Sequence, residues 1–270
     1  MPQPESPFTP YPDVNEMLGI LIENIQGVLG NALHAMYLEG SLANGDFDED
    51  SDIDFVVVTE GEISKETFLA LQAMHDRLQL VDSIWADQLE GSYLSRRGVR
   101  KFDPAFALYP NMERGRGERL KLLHHDEMWD IHRHILLKSG ITILGPEPEA
   151  LIAPVPVENL RNAMHVILDG WATGFLSDPG LMTTRGYQSY VVLSMCRILY
   201  TLERGDIISK KSAARWASET LEERWQRLIE SAWVGRHRSN MPPYEEDVLG
   251  TLAMIRYVKE EAEKQKSRSG

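Results

Sequence analysis

At 270 residues with 43% hydrophobic side chains, the chain is long enough to bury the core of one large domain or two small ones. No run approaches the roughly 20 apolar residues that span a bilayer, and the opening MPQPESPFTPYPD has proline and acid where a secretory signal has basic and then apolar residues, so a cytoplasmic protein is expected. Forty-one acidic against 28 basic side chains leave a formal charge of −13, which repels a long nucleic-acid backbone and favours cationic partners.

The first predicted element is a helix over about 13–30, because Val14, Met17, Leu18, Leu21, Ile25, Val28 and Leu29 recur at helical spacing. Asp13 and Glu16 resemble an acidic capping box at its start. Two β-like runs follow, Ala35 to Glu39 and Ile53 to Val58, separated by a stretch rich in Gly, Asn and Asp where the chain must turn sharply. Ser64 opens a second helix carrying Phe68, Leu69, Leu71, Met74 and Leu78, and beyond it Val81 to Ala86 and Leu89 to Leu94 read as strands. A further apolar run, Ile141 to Leu144, ends at Gly145-Pro146, and the proline-rich piece down to Pro156 reads as a linker.

From about 157 the periodicity is helical almost throughout, with helices expected at 157–176, 186–204, 211–233 and 244–265. The expected fold class is an α/β (α+β) domain with a mixed sheet over residues 1–150, followed by an all-α bundle over 151–270. Two domains form a cleft, and clefts are where small-molecule sites usually lie. The single cysteine, Cys196, sits in the apolar run YVVLSMCRILY and reads as a small core residue with no disulfide or thiolate cage available.

The chemistry concentrates in Gly40-Ser41, ten intervening residues, then Asp52-Ile53-Asp54 and the apolar run Phe55 to Val58. Side chains alternate along a strand, so Asp52 and Asp54 point the same way while Ile53 and Phe55 enter the core. Two carboxylates held side by side repel one another, an arrangement that a divalent cation between them resolves. Hard oxygen ligands on a rigid sheet suit magnesium, which keeps several waters and takes its other ligands from substrate phosphates. Gly40 lets backbone approach a phosphate, Ser41 can donate to its oxygens, and a helix starting near Leu42 would add a favourable N-terminal field.

Strand, Gly-Ser, spacer and acidic pair resemble the nucleotidyltransferases of the polymerase-β type. More narrowly, the chain resembles the aminoglycoside adenylyltransferases that modify streptomycin and spectinomycin. That likeness continues through Arg197-Ile-Leu-Tyr-Thr, Gly205-Asp-Ile-Ile-Ser-Lys210 and Ala213-Ala-Arg-Trp216, and so covers most of the chain.

The resemblance implies two magnesium ions on Asp52 and Asp54, with Glu90 as third carboxylate and as the base that activates a substrate hydroxyl. It implies phosphate contacts from Gly40, Ser41 and Ser51, and from Lys210 and Arg197 of the helical domain, with ATP as co-substrate. Asp87, three residues before Glu90, is the alternative third acid; strand alternation puts the two on opposite faces, so both should not serve. Family members that modify streptomycin hold the drug with a tryptophan and an aspartate. Trp171 and Asp178 occupy that region at a looser spacing with Pro179 beside them, and Asp169 is a further candidate.

The implied activity is transfer of AMP from ATP to a hydroxyl of an aminoglycoside or aminocyclitol. A monomeric chain is expected, with ATP and a cationic small molecule as partners and neither nucleic acid nor membrane. Two alternatives keep the first domain: modification of a protein partner, as a regulator or antitoxin would perform, and a non-catalytic nucleotide sensor. An intact acid pair with Glu90 argues against the sensor, which needs no base.

Other features point elsewhere. His124, His125, His132 and His134 with Asp126, Glu127 and Asp130 match no metal-binding helical motif and read as a polar helix face, with a wall of the active cleft as the alternative. Arg96-Arg97, Arg100-Lys101 and the run Arg114 to Lys121 read as loop surface diluted by acids, with room for one arginine to help hold a triphosphate. Arg161 and His165, one helical turn apart, carry no function, and the Lys259 to Arg268 run reads as an exposed helix.

Overall fold

The computed structural model describes residues 7–106, 108–238 and 240–269. It divides into two compact units, Met1–Pro154 and Val155–Gly270.

In the first unit, helix α1 (Pro12–Leu29) buries Val14, Met17, Leu18, Leu21, Ile25 and Leu29 along one stripe. Its N-cap is Tyr11 with proline at the first turn, and no side chain caps it, so the capping box expected at Asp13 and Glu16 does not form. Asp13 is engaged elsewhere: its Oδ2 accepts from the Trp85 indole N–H at 2.7 Å, a long-range bond that holds its carboxyl below the ordinary range.

Strands β1 (Leu33–Leu38), β2 (Ile53–Thr59), β3 (Leu89–Ser95), β4 (Leu108–Met112), β5 (Lys121–His124) and β6 (Ile141–Leu144) form one sheet in the order β5-β4-β3-β2-β1-β6. β2 and β3 run parallel and the other neighbours antiparallel, so the sheet is mixed as expected. The parallel pair is joined through α3 (Lys65–Leu78), which Ser64 caps by accepting from Thr67 N. One face packs Met36, Leu38, Ile53, Phe55 and Val57 with α1 and α3. The other packs Tyr37, Val56, Val58 and Leu94 with Trp129 and Leu136 of α5 (Trp129–Ser139). Burial on both faces is why the central strands read as continuous apolar runs.

Three expectations fail here. Val81 to Ala86 is a chain of turns leading into the 3-10 turn Ala86–Gln88, pinned by Trp85 rather than paired in the sheet. β4 and β5 went unpredicted because their residues, LYPNM and KLLH, carry proline and charge and lie towards the sheet's edge. Residues 145–156 are packed rather than a bare linker: Leu151 of α6 (Pro148–Leu151) and Ile152 just after it are buried in the cluster that includes Trp129 and Leu136 of α5.

The histidine cluster is also more than a polar helix face. His124 ends β5, and His125 is buried beside Arg133 of α5, which is fully buried. The Arg133 guanidinium donates to Val99 O, Gly98 O and Asp130 Oδ1, tying α5 to the short helix α4 (Arg96–Arg100).

The second unit is helical: α7 (Val157–Ile167), a π-helical turn Leu168–Ala172, α8 (Thr173–Ser177), α9 (Arg185–Arg204), α10 (Lys210–Thr220), α11 (Gln226–Gly235) and α12 (Glu245–Ser269). The single helix expected over 157–176 is therefore interrupted, and that over 211–233 is two helices. Their corner is fixed by buried Trp225 and by Gln226 Nε2 donating to Ser218 O. α9 buries residues on most of its sides, Cys196 among them, and burial pushes that thiol up to about 12. Among the described residues no helix is long and apolar enough to cross a membrane.

Candidate active site

Glu39 N donates to Asp54 O at 3.1 Å where β1 ends, so the chain leaves the sheet beside the second acid of the pair. Gly40 to Asn44 then form the single turn α2, with Gly40 at φ 67. A Cβ built on Gly40 would lie 1.9 Å from Asp54 Oδ2, so both the backbone conformation and the space require glycine there. Ser41 Oγ is buried with no hydrogen-bond partner, an unmet need that a ligand oxygen could satisfy. At five residues, α2 contributes free N–H groups more than a macrodipole.

The loop back to β2 is held by Phe47, whose ring packs between Tyr11 and Trp85 at 4.8 and 5.0 Å. Ser51 Oγ donates to Asp48 Oδ1 at 3.1 Å and accepts from Asp48 N at 3.0 Å, closing the loop one residue before Asp52.

Asp54 then pairs in register with Glu90 across the parallel strands. Asp52, Asp54 and Glu90 each present an oxygen within 4.8 Å of the others, all three half-buried. Burial raises the Glu90 carboxyl above its ordinary value and the Asp52 charge adds to this, while Arg114 and His132 pull the other way. Three crowded carboxylates on strand ends, beside a serine hydroxyl with no partner, form a hard, rigid oxygen set that fits magnesium. Asp87 is not in this group; it lies in the 3-10 turn before β3 and faces Arg116 at 3.6 Å.

Three neighbours stand beside the acids: Glu39, not anticipated, and His132 and Arg114, anticipated only as members of larger clusters. Glu39 is buried, with Oε1 2.7 Å from His132 Nδ1 and Oε2 without a partner. Its place continues the alternation Ala35, Tyr37, Glu39 onto the face that carries Asp54, a signal available in the sequence. His132 and Arg114 reach the site from α5 and from the turn after β4, and only the tertiary fold brings them there. Arg114 Nη1 stands 3.4 Å from Asp52 Oδ2.

The nucleotidyltransferase domain family matches residues 28–104, and the family described as aminoglycoside adenylyltransferase, C-terminal domain, matches residues 150–261. The first unit thus carries a nucleotidyltransferase domain, and the helical unit matches the C-terminal domain of aminoglycoside adenylyltransferases. The chain is a nucleotidyltransferase. A spectinomycin 9-adenylyltransferase of Campylobacter jejuni is 26% identical over 260 residues, covering 93% of this chain and 94% of that one. An aminoglycoside (3'') (9) adenylyltransferase of Escherichia coli is 28% identical over 269 residues, covering 93% and 96%. The crystal structure of spectinomycin adenyltransferase AAD(9) from Enterococcus faecialis, with ATP and spectinomycin, superposes with a TM-score of 0.70 at 16% identity over 92% of this chain and 98% of that one, a likeness of fold.

In this nucleotidyltransferase the remaining predicted site residues lie on the helical unit. Arg197 is half-buried on α9, and Lys210 opens α10 just after its cap, Ser209, with Nζ 4.6 Å above the Tyr190 ring centroid. Trp171 lies in the π-helical turn, edge-on to Phe175 at 5.1 Å and to Tyr190 at 5.9 Å, with its indole N–H 3.4 Å from Tyr187 Oη. The transferase thus carries an aromatic group in which Tyr187 and Tyr190, both exposed, are stacked at 6.0 Å. Asp178 is exposed and accepts from Gly180 N at 3.0 Å, capping a short turn. Asp169 is bonded to Lys259 at 2.9 Å.

Proposed function

We propose that this transferase moves AMP from ATP to a hydroxyl of an aminoglycoside or aminocyclitol, spectinomycin or streptomycin being the candidates to try first. The observation that carries the reading is the register pairing of Asp54 with Glu90, with Asp52 close by, beside a Gly40-Ser41 turn that packs against Asp54 too closely for any Cβ. The relatives named above add the acceptor class, since two of them are named for spectinomycin or aminoglycosides.

Asp52, Asp54 and Glu90 would hold two magnesium ions, which supply charge neutralisation for the triphosphate and the leaving pyrophosphate. Glu90, whose burial raises its carboxyl above the ordinary value, accepts the proton of the attacking hydroxyl as the oxygen closes on the α-phosphorus. Ser41 donates to phosphate oxygens and meets its own unsatisfied hydrogen bond in doing so. Ser51 shapes the loop that sets Asp52 and contributes a phosphate contact. By resemblance, Arg197 and Lys210 bind phosphate from the helical unit, and Trp171 offers an aromatic face to an amino sugar. Asp178, exposed, supplies an acceptor for a substrate ammonium.

Mass spectrometry of spectinomycin and of streptomycin, each incubated with ATP, magnesium and the transferase, tests the proposal. One drug should gain the mass of an adenylyl group, and that gain should vanish with Asp54→Asn. Unmodified drugs with adenylyl label on a co-purified protein would move the acceptor to a protein partner.

A further inference from the structure

We propose that Arg114 is a phosphate-binding residue of the nucleotide site, clamped on Asp52 until the triphosphate draws its guanidinium across. The inference rests on the nucleotidyl-transfer reading and deepens it by naming a ligand for the phosphates from the sheet unit's own edge.

The chain places Arg114 deliberately. Met112 of β4 pairs with Gly91, one residue beyond Glu90, so the segment leaving β4 emerges beside the catalytic strand end. Gly115 and Gly117 adopt φ values of 131 and 80, and Gly115 N donates to Asp87 O at 2.8 Å. The turn is thereby tied to the entry of β3, the strand that carries Glu90.

Other cations of this basic run have different partners. Arg116 faces Asp87, Arg119 faces Asp76, and Lys121 bridges Glu113 and Glu118. Arg114 alone among these four meets a carboxylate of the acid group, with Nη1 3.4 Å from Asp52 Oδ2 and donating to Asp50 O at 3.2 Å. Both contacts use Nη1, and 46% of the side chain is exposed, so the rest of the fork of donors is available to a ligand.

Chemistry selects the ligand. A guanidinium matches the paired oxygens of a phosphate in a bidentate manner and repels the ammonium groups of a cationic acceptor. An exposed ion pair such as Arg114–Asp52 contributes little stability, so surrendering it for a charge-assisted phosphate bond is favourable. Metal on Asp52 would remove the attraction that holds Arg114 there, at the moment that phosphate charge arrives.

The test is calorimetric titration of a non-hydrolysable α,β-methylene ATP with magnesium and no acceptor, into the wild-type chain, Arg114→Gln and Arg114→Lys, each checked for an unchanged melting temperature. Arg114→Gln should weaken the analogue by a factor on the order of 10, as expected for one lost charge-assisted bond, and Arg114→Lys by less. Magnesium alone should bind Arg114→Gln as well as or better than wild type, since a competitor for Asp52 is gone. Undiminished analogue affinity in Arg114→Gln, beside normal binding by wild type, would overturn this role alone. A wild-type chain that bound no analogue would overturn the nucleotidyl-transfer reading and this inference with it.

Discussion

Asp54 on β2 and Glu90 on β3 face each other in a parallel register, which sets two carboxylates on adjacent strand ends without any loop to position them. Exchanging Glu90 for glutamine keeps shape and an oxygen but removes the proton acceptor. Turnover should fall by a factor on the order of 10² or more while ATP affinity changes little. Steady-state kinetics with a binding titration checks this, and full activity in Glu90→Gln would sink the assignment of the base.

Gly40 and Gly45 share a left-handed backbone, at φ 67 and 71, but only Gly40 has Asp54 against it; a Cβ on Gly45 meets nothing within 4 Å. Gly40→Ala should therefore lose most activity as well as stability, whereas Gly45→Ala should lose about 1 kcal/mol of stability and keep its kcat/KM. Equal activity losses in the two variants would contradict the close-approach role.

Because the Glu90 carboxyl lies above its ordinary value through burial and the Asp52 charge, protons compete for it at a higher pH than they would for a surface glutamate. Magnesium needs the ionised form. Metal affinity should accordingly weaken as pH falls, beginning above the usual carboxylate range of about 4.3. A magnesium titration that stayed flat down to that range would remove Glu90 from the ligand set.

His75 is buried in the sheet unit with its Nε2 2.7 Å from Tyr93 Oη, and burial lowers its pKa from 6.5 to about 4; His125 falls to about 4 as well, again chiefly through burial. Between those values the unfolded chain binds protons that the folded chain refuses, so stability contributed by the neutral imidazoles is present above 6.5 and is lost as pH falls toward 4. Each pH unit in that window is worth up to about 1.4 kcal/mol per histidine. Thermal melts from neutral to mildly acidic pH should show the decline, and His75→Phe should flatten its slope.

Loss of Lys210 should chiefly weaken nucleotide binding. A Lys210→Ala variant with unchanged ATP affinity would remove this residue from the phosphate set carried over by resemblance.

How much was legible follows from where each signal resides. The Gly40-Ser41 turn and the Asp52–Asp54 pair are local patterns, and the apolar runs flanking them mark buried central strands whose register then brings in Glu90. Strands β4 and β5, the latter at the sheet's edge, were not legible, because LYPNM and KLLH lack a two-sided apolar pattern. Asp13 illustrates a different limit: its position at a helix start suggested a cap, but a tryptophan 72 residues away claims its carboxylate. Arg114 and His132 belong to the same class, for their distance to the acids is a property of the assembled sheet and of α5 rather than of any spacing.

The central claim is nucleotidyl transfer by the acid group, and pyrophosphate release with ATP and magnesium across a panel of streptomycin, spectinomycin and other aminoglycosides tests it most directly. The account predicts release that requires one of these acceptors in the wild-type chain and its absence in Asp54→Asn. Silence throughout the panel with ATP still bound, or release that persists in Asp54→Asn, would contradict it.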